Sequence, residues 1–203
     1  MNAKERYQKW VEKLDKNSPF YKKLLEIKDD VEEIEERFYQ ELAFGTAGLR
    51  GKLKAGTNCM NFAVVGRATQ GLANYILKQG PEAAKKGVII AHDPRHYSKE
   101  FSQMAAGILA ANGIKVRIYD ALMPVPALSF ATRYYGSNAG VMITASHNPA
   151  KYNGYKAYGP DGCQMTDDAA AVVYNEIQNT DILNGAKLIS FEEGVANGLI
   201  QYV

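Results

Sequence analysis

The pattern of apolar and polar positions divides the chain into two parts. The first sixteen residues carry four apolar side chains spaced about one helical turn apart: Tyr7, Trp10, Val11 and Leu14. This spacing predicts an amphipathic helix. A second run places Val31, Ile34 and Phe38 on one stripe among acidic residues, and we expect those acids to form a solvated helix face. Residues 1–40 are therefore predicted to form a helical arm that packs on the domain after it.

From about residue 41 the pattern alternates between strands and helices. Short apolar runs predict buried strands at 87–93, 114–120 and 139–143. Helices are predicted at 60–78, 98–111, 127–135 and 167–178, with Ser98 and Thr166 as N-caps and Gly113 as a stop. A glycine-rich turn is expected at 44–51, and a hairpin at 155–165 turning at 160–162. Together these elements predict a three-layer α/β domain over 41–203, with a mixed, mostly parallel sheet between helices and an antiparallel edge.

Composition excludes several classes of protein. Of 203 residues, 46% are hydrophobic and 23% are charged, which is typical of a globular chain. With 24 basic against 22 acidic residues, we expect neither nucleic acid nor an anionic membrane as a partner. We find neither a secretory signal nor an apolar run of the ~18 residues that a membrane span needs. Two cysteines cannot form a disulfide framework, so the chain is predicted to be a cytoplasmic protein.

Polar side chains that could bind an anion occur in three separate loops. The first loop holds Thr46 and Arg50 among glycines, which let a backbone approach an anion closely. The second, with Asp93 and Arg95, follows a predicted strand. A tight turn with a surface arginine and an aspartate bonded to its own backbone would also explain these two loops. The third follows the strand that ends at Ile143, where open α/β sheets bind ligands.

The serine of the third loop, Ser146, does not fit an acyl-transfer nucleophile. The G-x-S-x-G frame of a nucleophile elbow is missing. We expect His147 to be a poor base for Ser146, because adjacent side chains of an extended segment point apart. A phosphoryl group on Ser146 explains the loop better, since phosphoryl transfer depends mainly on positioning and charge neutralisation. Lys156 and Arg50 could supply the positive charge.

Two motifs carry a resemblance to a known family. The stretch "TASHNPAKYNGYK" (144–156) closely resembles the phosphoserine loop of the α-D-phosphohexomutases, the phosphoglucomutase/phosphomannomutase family, and "FGTAGLRG" (44–51) resembles their arginine loop. The likeness covers about residues 38–203 and implies the first of four domains around one cleft. It also implies an isomerase that moves phosphate between C1 and C6 of a hexose. Such an enzyme would use Mg²⁺ as its cofactor and glucose 1,6-bisphosphate as its intermediate and activator.

The resemblance also implies roles for individual residues. Ser146 would be the phosphorylated catalytic residue and a metal ligand, and His147 would support its phosphoryl group. Lys156 would act in proton transfer and charge stabilisation, while Arg50 would organise the phosphoserine site.

A second group of residues is expected to bind the substrate or to shape the site. Asn148 lies in the serine loop, and Thr46 lies beside the arginine loop's Arg50. Asp93 and Arg95 match a D-x-R loop of the family and would shape the site.

One family feature is missing from these residues. No D-x-D-x-D metal loop occurs, and the chain stops on the apolar stretch "GVANGLIQYV". We therefore expect residues 41–203 to be the phosphoserine domain of a longer enzyme, with a small-molecule sugar phosphate and the remaining domains of the same polypeptide as its partners, and inactive alone.

Several alternatives to a phosphoglucomutase stay open. One is a phosphomannomutase or phosphopentomutase, because the sequence does not rank the sugars. Another is a non-catalytic phosphosugar-binding module, and a purely structural module would leave the three loops without a purpose. A hydrolase of the alkaline phosphatase type would need a dense Asp/His metal set, against which the three histidines argue.

Overall fold

The computed structural model describes residues 1–203. It contains nine helices and six strands, in the order α1 (Ala3–Lys13), α2 (Tyr21–Leu25), α3 (Val31–Phe38), β1 (Leu49–Lys52), α4 (Phe62–Lys78), α5 (Pro81–Lys86), β2 (Val88–His92), α6 (Ser98–Ala111), β3 (Val116–Ile118), α7 (Val125–Tyr134), β4 (Ala139–Ile143), β5 (Tyr152–Tyr158), α8 (Asp167–Gln178), α9 (Phe191–Ala196) and β6 (Ile200–Tyr202).

The strands form a single mixed sheet in the order β1-β5-β4-β2-β3-β6. Strands β4, β2, β3 and β6 are parallel neighbours, whereas β5 is antiparallel to both β4 and β1. Strands β2 and β4 are buried along their whole length, as expected for a parallel sheet covered on both faces. The predicted fold class, including the antiparallel edge, is confirmed.

Helices cover the two faces of the sheet unequally. Helix α6 packs on β2 and β3, and α4 packs on α6 and α8, so this side contains the main core. Helix α7 covers β2 and β4 on the opposite side, where Leu128 and Ala131 of the helix meet Ile89 and Met142 of the sheet. The result is the predicted arrangement of three layers.

The helical arm packs into the main core through aromatic side chains. Tyr7 and Trp10 of α1 each meet Phe38 edge-on, at ring-centroid distances of 5.7 and 5.6 Å. Phe20 joins Phe62 of α4 in the same way at 5.9 Å. The predicted helices α1 and α3 are confirmed, and the short helix α2 between them was not predicted.

The acidic helix α3 is more than a solvated face. Lys54 Nζ donates to Glu33 Oε1 at 2.8 Å, Arg37 Nε donates to Glu33 Oε2 at 2.6 Å, and Lys52 donates to Glu36. The hydrogen bond from Lys54 lowers the pKa of Glu33, and that from Lys52 lowers the pKa of Glu36. Since Lys52 ends β1, these ion pairs join the arm to an edge strand of the sheet.

Several local predictions need correction. Residues 44–51 form a turn and then continue into β1, which was not predicted as a strand. Ser98 is the first helical residue of α6 and not its N-cap, because Tyr97 takes the N-cap position with a φ of +63°. After the predicted 160–162 turn only one antiparallel bridge forms, between Tyr158 and Gln164. Thr166 caps α8 as predicted, by accepting from the amide of Ala169.

Candidate active site

The polar loops meet at a crevice that the order of the strands creates. After β2 the chain crosses through α6 to β3 on one side of β2, whereas after β4 it continues to β5 on the other side. The carboxyl ends of β2 and β4 therefore flank a topological switch point, where open α/β sheets bind their ligands. Asp93 directly follows β2 and Thr144 directly follows β4.

The carboxylate of Asp93 joins three segments at this crevice. Its Oδ2 accepts from Thr144 Oγ1 at 2.6 Å, and its Oδ1 accepts from Ser98 Oγ at 2.8 Å and from the Arg95 amide at 3.0 Å. Arg95 Nε lies 3.2 Å from Oδ2. Both oxygens are thus used within the chain, and they tie the β2 loop to the start of α6 and to the β4 loop.

The guanidinium of Arg95 holds the serine loop by its backbone. It donates to four carbonyl oxygens, those of Ser146 at 2.6 Å, Asn148 at 2.6 Å, Pro149 at 3.1 Å and Tyr152 at 3.2 Å. An arginine presents five donors in a fixed planar fork, which suits several acceptors around one point. These contacts favour a role in shaping the loop over direct substrate binding.

Ser146 itself has a left-handed backbone, with a φ of +58°. This conformation is uncommon for a residue other than glycine and needs support from its surroundings. Ser146 is exposed, and its Oγ lies 3.4 Å from His147 Nδ1. The expectation that these two side chains point apart was wrong, because the segment is not extended. The separation is nevertheless longer than an ordinary hydrogen bond.

The two cations expected to neutralise an anion lie on one face of the sheet. Arg50 pairs with Gly154 and Lys156 pairs with Met142. Because side chains alternate along a strand, Arg50 and Lys156 face away from the main core, on the same side of the sheet as Thr144. Neither cation forms a side-chain hydrogen bond or an ion pair with another residue of the chain, so both positive charges are available to a bound anion.

The glycine loop packs against the strand that carries Lys156. Gly48 has a φ of +77°, and a Cβ there would lie 1.9 Å from the carbonyl oxygen of Tyr155. Only glycine allows the turn to come this close, and the approach brings the loop of Thr46 beside Lys156. Thr46 is half-buried and its side chain makes no hydrogen bond within the chain.

In the serine loop, Asn148 Nδ2 donates to the carbonyl of Ala145 at 3.1 Å.

The structure adds two polar residues that sequence reasoning did not assign to the site. Thr144 is buried, and its hydroxyl contacts both Asp93 and the Ser146 amide. Asn153 is fully buried at the start of β5, where its Nδ2 donates to His96 O and Ser98 Oγ, both at 3.0 Å. A buried threonine or asparagine beside a loop gives no distinctive sequence pattern, so neither role could be inferred from residue type.

The residues present do not make a complete Mg²⁺ site. Mg²⁺ prefers an octahedron of oxygen ligands. No group of three or more His, Cys, Asp or Glu side chains is placed to bind a metal. Asp93, the carboxylate beside the serine loop, already accepts hydrogen bonds at both oxygens. A phosphorylated Ser146 could provide one ligand, and the others would have to come from outside these residues.

The fold is an α/β domain with an exposed serine at a switch point of its sheet and with Arg50 and Lys156 on one face of that sheet. Residues 41–183 match the family model described as "Phosphoglucomutase/phosphomannomutase, alpha/beta/alpha domain I". Because that match covers well over half of the chain, the protein belongs to the phosphoglucomutase/phosphomannomutase family.

Named relatives and a solved structure agree with this assignment. The chain is 43% identical over 164 residues to a phosphoglucomutase of Staphylococcus epidermidis, covering 80% of the chain and 29% of the relative. It is 44% identical over 137 residues to a Schizosaccharomyces pombe protein named "Probable phosphoribomutase", covering 68% and 23%. A Thermus thermophilus crystal structure described as a "putative phosphomannomutase" superimposes with a TM-score of 0.65 at 27% identity, covering 81% and 33%.

The chain corresponds to only part of each relative that it matches. The chain spans less than a third of the length of the two sequence relatives. None of its helices is both long and apolar enough to cross a membrane.

Proposed function

We propose that Ser146 carries a phosphoryl group in a phosphoglucomutase-type reaction, which moves phosphate between C1 and C6 of a hexose through a 1,6-bisphosphate. The observation that carries this proposal is the geometry of the serine loop. Ser146 is exposed at a switch point, in a left-handed conformation that Arg95 and Thr144 hold by its carbonyl and its amide. Such a loop presents the hydroxyl while its own backbone stays fixed.

The cations near the loop suit the proposed chemistry. In the first half-reaction a sugar hydroxyl attacks the phosphorus of the phosphoserine, the bond from phosphorus to Ser146 Oγ breaks, the hydroxyl proton passes to a base and Ser146 Oγ takes up a proton. In the second half-reaction Ser146 Oγ loses its proton and attacks the other phosphorus of the bisphosphate, and the bond from that phosphorus to the sugar oxygen breaks as the sugar oxygen takes up a proton. A phosphoserine carries about −1.5 to −2 charges at neutral pH, which repel an attacking oxygen until they are neutralised. Arg50 and Lys156 supply positive charge on the proper face, and Lys156 is the proposed proton-transfer group. Glucose 1,6-bisphosphate would recharge Ser146.

The proposal extends beyond these residues. Because the chain spans less than a third of its sequence relatives, we propose that residues 41–203 are the phosphoserine domain of a longer enzyme and that 1–40 form its N-terminal extension. Its partners would be a sugar phosphate and the remaining domains of the same polypeptide. Those domains would supply the carboxylates for Mg²⁺, which provides charge neutralisation when bound, as well as the contacts that read the sugar.

The identity of the sugar rests on the names of relatives. Glucose phosphate is the first candidate because the Staphylococcus epidermidis relative is a phosphoglucomutase. A pentose phosphate is the second candidate, since the Schizosaccharomyces pombe protein is named a phosphoribomutase at similar identity.

Phosphate uptake tests the proposal directly. The full-length enzyme that contains this domain is incubated with glucose 1,6-bisphosphate and Mg²⁺, and phosphate is located by peptide mass spectrometry. We expect phosphate on Ser146, no uptake in Ser146→Ala and normal uptake in Ser190→Ala, which removes a remote exposed serine hydroxyl that caps α9. Phosphate on Thr144 alone, or none anywhere, would contradict the proposal. In a mutase assay, turnover within about tenfold of a full-length enzyme, ~1.4 kcal/mol in barrier, would show that this chain needs no other domain.

A further inference from the structure

The hydroxyl of Thr144 makes two hydrogen bonds of opposite direction. It donates to Asp93 Oδ2 at 2.6 Å and accepts from the backbone amide of Ser146 at 2.9 Å. A hydroxyl has only one proton to donate, so the carboxylate fixes the direction of the other bond. Thr144 is only 5% exposed, and water does not easily replace either partner.

Ser146 needs such support because its backbone is strained. For a residue with a Cβ, the left-handed conformation is unfavourable, because the Cβ comes too close to the backbone. The amide of Ser146 is held by Thr144 and its carbonyl by Arg95. Both holders are in turn bonded to Asp93. Asp93 therefore supports the left-handed turn indirectly on both sides of Ser146, through Thr144 at the amide and through Arg95 at the carbonyl.

We propose that Thr144 is a positioning residue for Ser146. Its hydroxyl transmits the fixed position of Asp93 to the Ser146 amide and so keeps the serine oxygen aimed outward for phosphoryl transfer. This inference rests on the proposed role of Ser146. It also explains why Thr144 is not the phosphorylated residue, since its proton is committed to a carboxylate and its oxygen is buried.

The expected effect is on rate more than on binding. In-line transfer depends on the angle at which phosphorus is presented, and a misplacement of about 1 Å can lower a rate by about 100-fold. Without the Thr144 hydroxyl, the serine can relax toward an ordinary conformation. We expect the loss in kcat and in the rate of phosphate uptake, while the KM for the bisphosphate changes little.

Three variants separate positioning from general packing. Thr144→Val removes the hydroxyl at nearly constant volume, and Thr144→Ser keeps it. Thr132→Val is the matched control, because Thr132 is fully buried and its hydroxyl donates to Leu128 O at 2.8 Å, away from the serine loop. The rate of Ser146 phosphorylation by glucose 1,6-bisphosphate is measured for each variant in the full-length enzyme, and thermal stability and amide hydrogen exchange at Ser146 by NMR are measured in residues 1–203.

We expect Thr144→Val to lose about 100-fold in phosphorylation rate and to expose the Ser146 amide to faster exchange, whereas Thr144→Ser and Thr132→Val stay near wild type in both. A Thr144→Val protein with unchanged exchange and rate would overturn the inference. If that variant does not fold, amide hydrogen exchange in the wild type tests the inference. A Ser146 amide that exchanges without protection would show that the bond from Thr144 does not constrain it. Absence of phosphate uptake in the wild type would instead refute the role of Ser146, and amide exchange would still test the positioning.

Discussion

Replacing Arg95 with alanine should destabilise the folded domain and free the serine loop. The substitution removes four hydrogen bonds to loop carbonyls and the cation beside Asp93. Because the Arg95 and Asp93 side chains are only 14% and 16% exposed, the carboxylate cannot recover full hydration. An uncompensated, largely buried charge is the main cost that we expect.

The structure sets the size of this effect. Breaking one partner of a buried ion pair costs about 3–5 kcal/mol. The Ser146 and Pro149 carbonyls lie in exposed residues, where water can replace the guanidinium, so the low end of that range, about 3 kcal/mol, is the better expectation. For a domain of this size that loss lowers Tm by roughly 6–12 °C. The stability of Arg95→Lys should lie between those of the wild type and Arg95→Ala, because an ammonium keeps the charge but cannot reach all four carbonyls.

Urea denaturation, monitored by far-UV circular dichroism, measures the loss in free energy of unfolding. Arg117→Ala is the matched control, since Arg117 makes a single bond to Lys86 O at 3.3 Å and lies over the Tyr135 ring at 5.2 Å. We expect that control to lose less than about 1 kcal/mol. A loss below about 1 kcal/mol in Arg95→Ala as well would refute the view that this arginine holds the loop.

Three further predictions concern other parts of the chain. Gly48→Ala should destabilise strongly and Gly45→Ala little, because a Cβ at Gly48 would clash with the backbone of Tyr155 whereas one at Gly45 would meet nothing within 4 Å; equal urea midpoints would contradict this. Cys163 is exposed, whereas burial raises the pKa of Cys59 to about 12. Iodoacetamide should therefore modify only Cys163 until urea unfolds the chain, and labelling of Cys59 before unfolding would contradict its burial. Lysine hydrogen bonds lower the pKa of the α3 carboxylates, so their pairs stabilise the arm above about pH 4.3 and weaken as pH falls below it. Fluorescence of Trp10, the single tryptophan, should then report loosening of the arm before the helix signal is lost; simultaneous loss would argue against it.

The parallel part of the fold could be predicted from sequence because its signals are local. Strands β2 and β4 are continuous apolar runs, and the pattern that buries a strand on both faces is visible without neighbours. Strands β1 and β6 were missed because each is short and lies at an edge of the sheet, where half of the side chains face solvent. Their pairing partners, β5 and β3, lie far away in the sequence.

The position of the polar clusters could be predicted from sequence, whereas the local geometry of the serine loop could not. The polar clusters after β2 and β4 could be placed at one edge because both strands end there in a parallel sheet. The left-handed turn at Ser146 could not be foreseen, since a serine carries no signal for positive φ. That turn results from contacts of Thr144 and Arg95, which depend on the tertiary structure.

The two halves of the candidate site therefore differ in how they are held. The half with Ser146 is fixed by Asp93 between two central strands, so its position depends on the core of the sheet. The half with Arg50 lies on edge strand β1, which pairs with β5 alone. It is also held by the ion pairs that join Lys52 and Lys54 to α3 and by Leu49, which is buried in the main core. Breaking these ion pairs by substitution should therefore displace Arg50 more than the Ser146 loop, whose supports lie elsewhere.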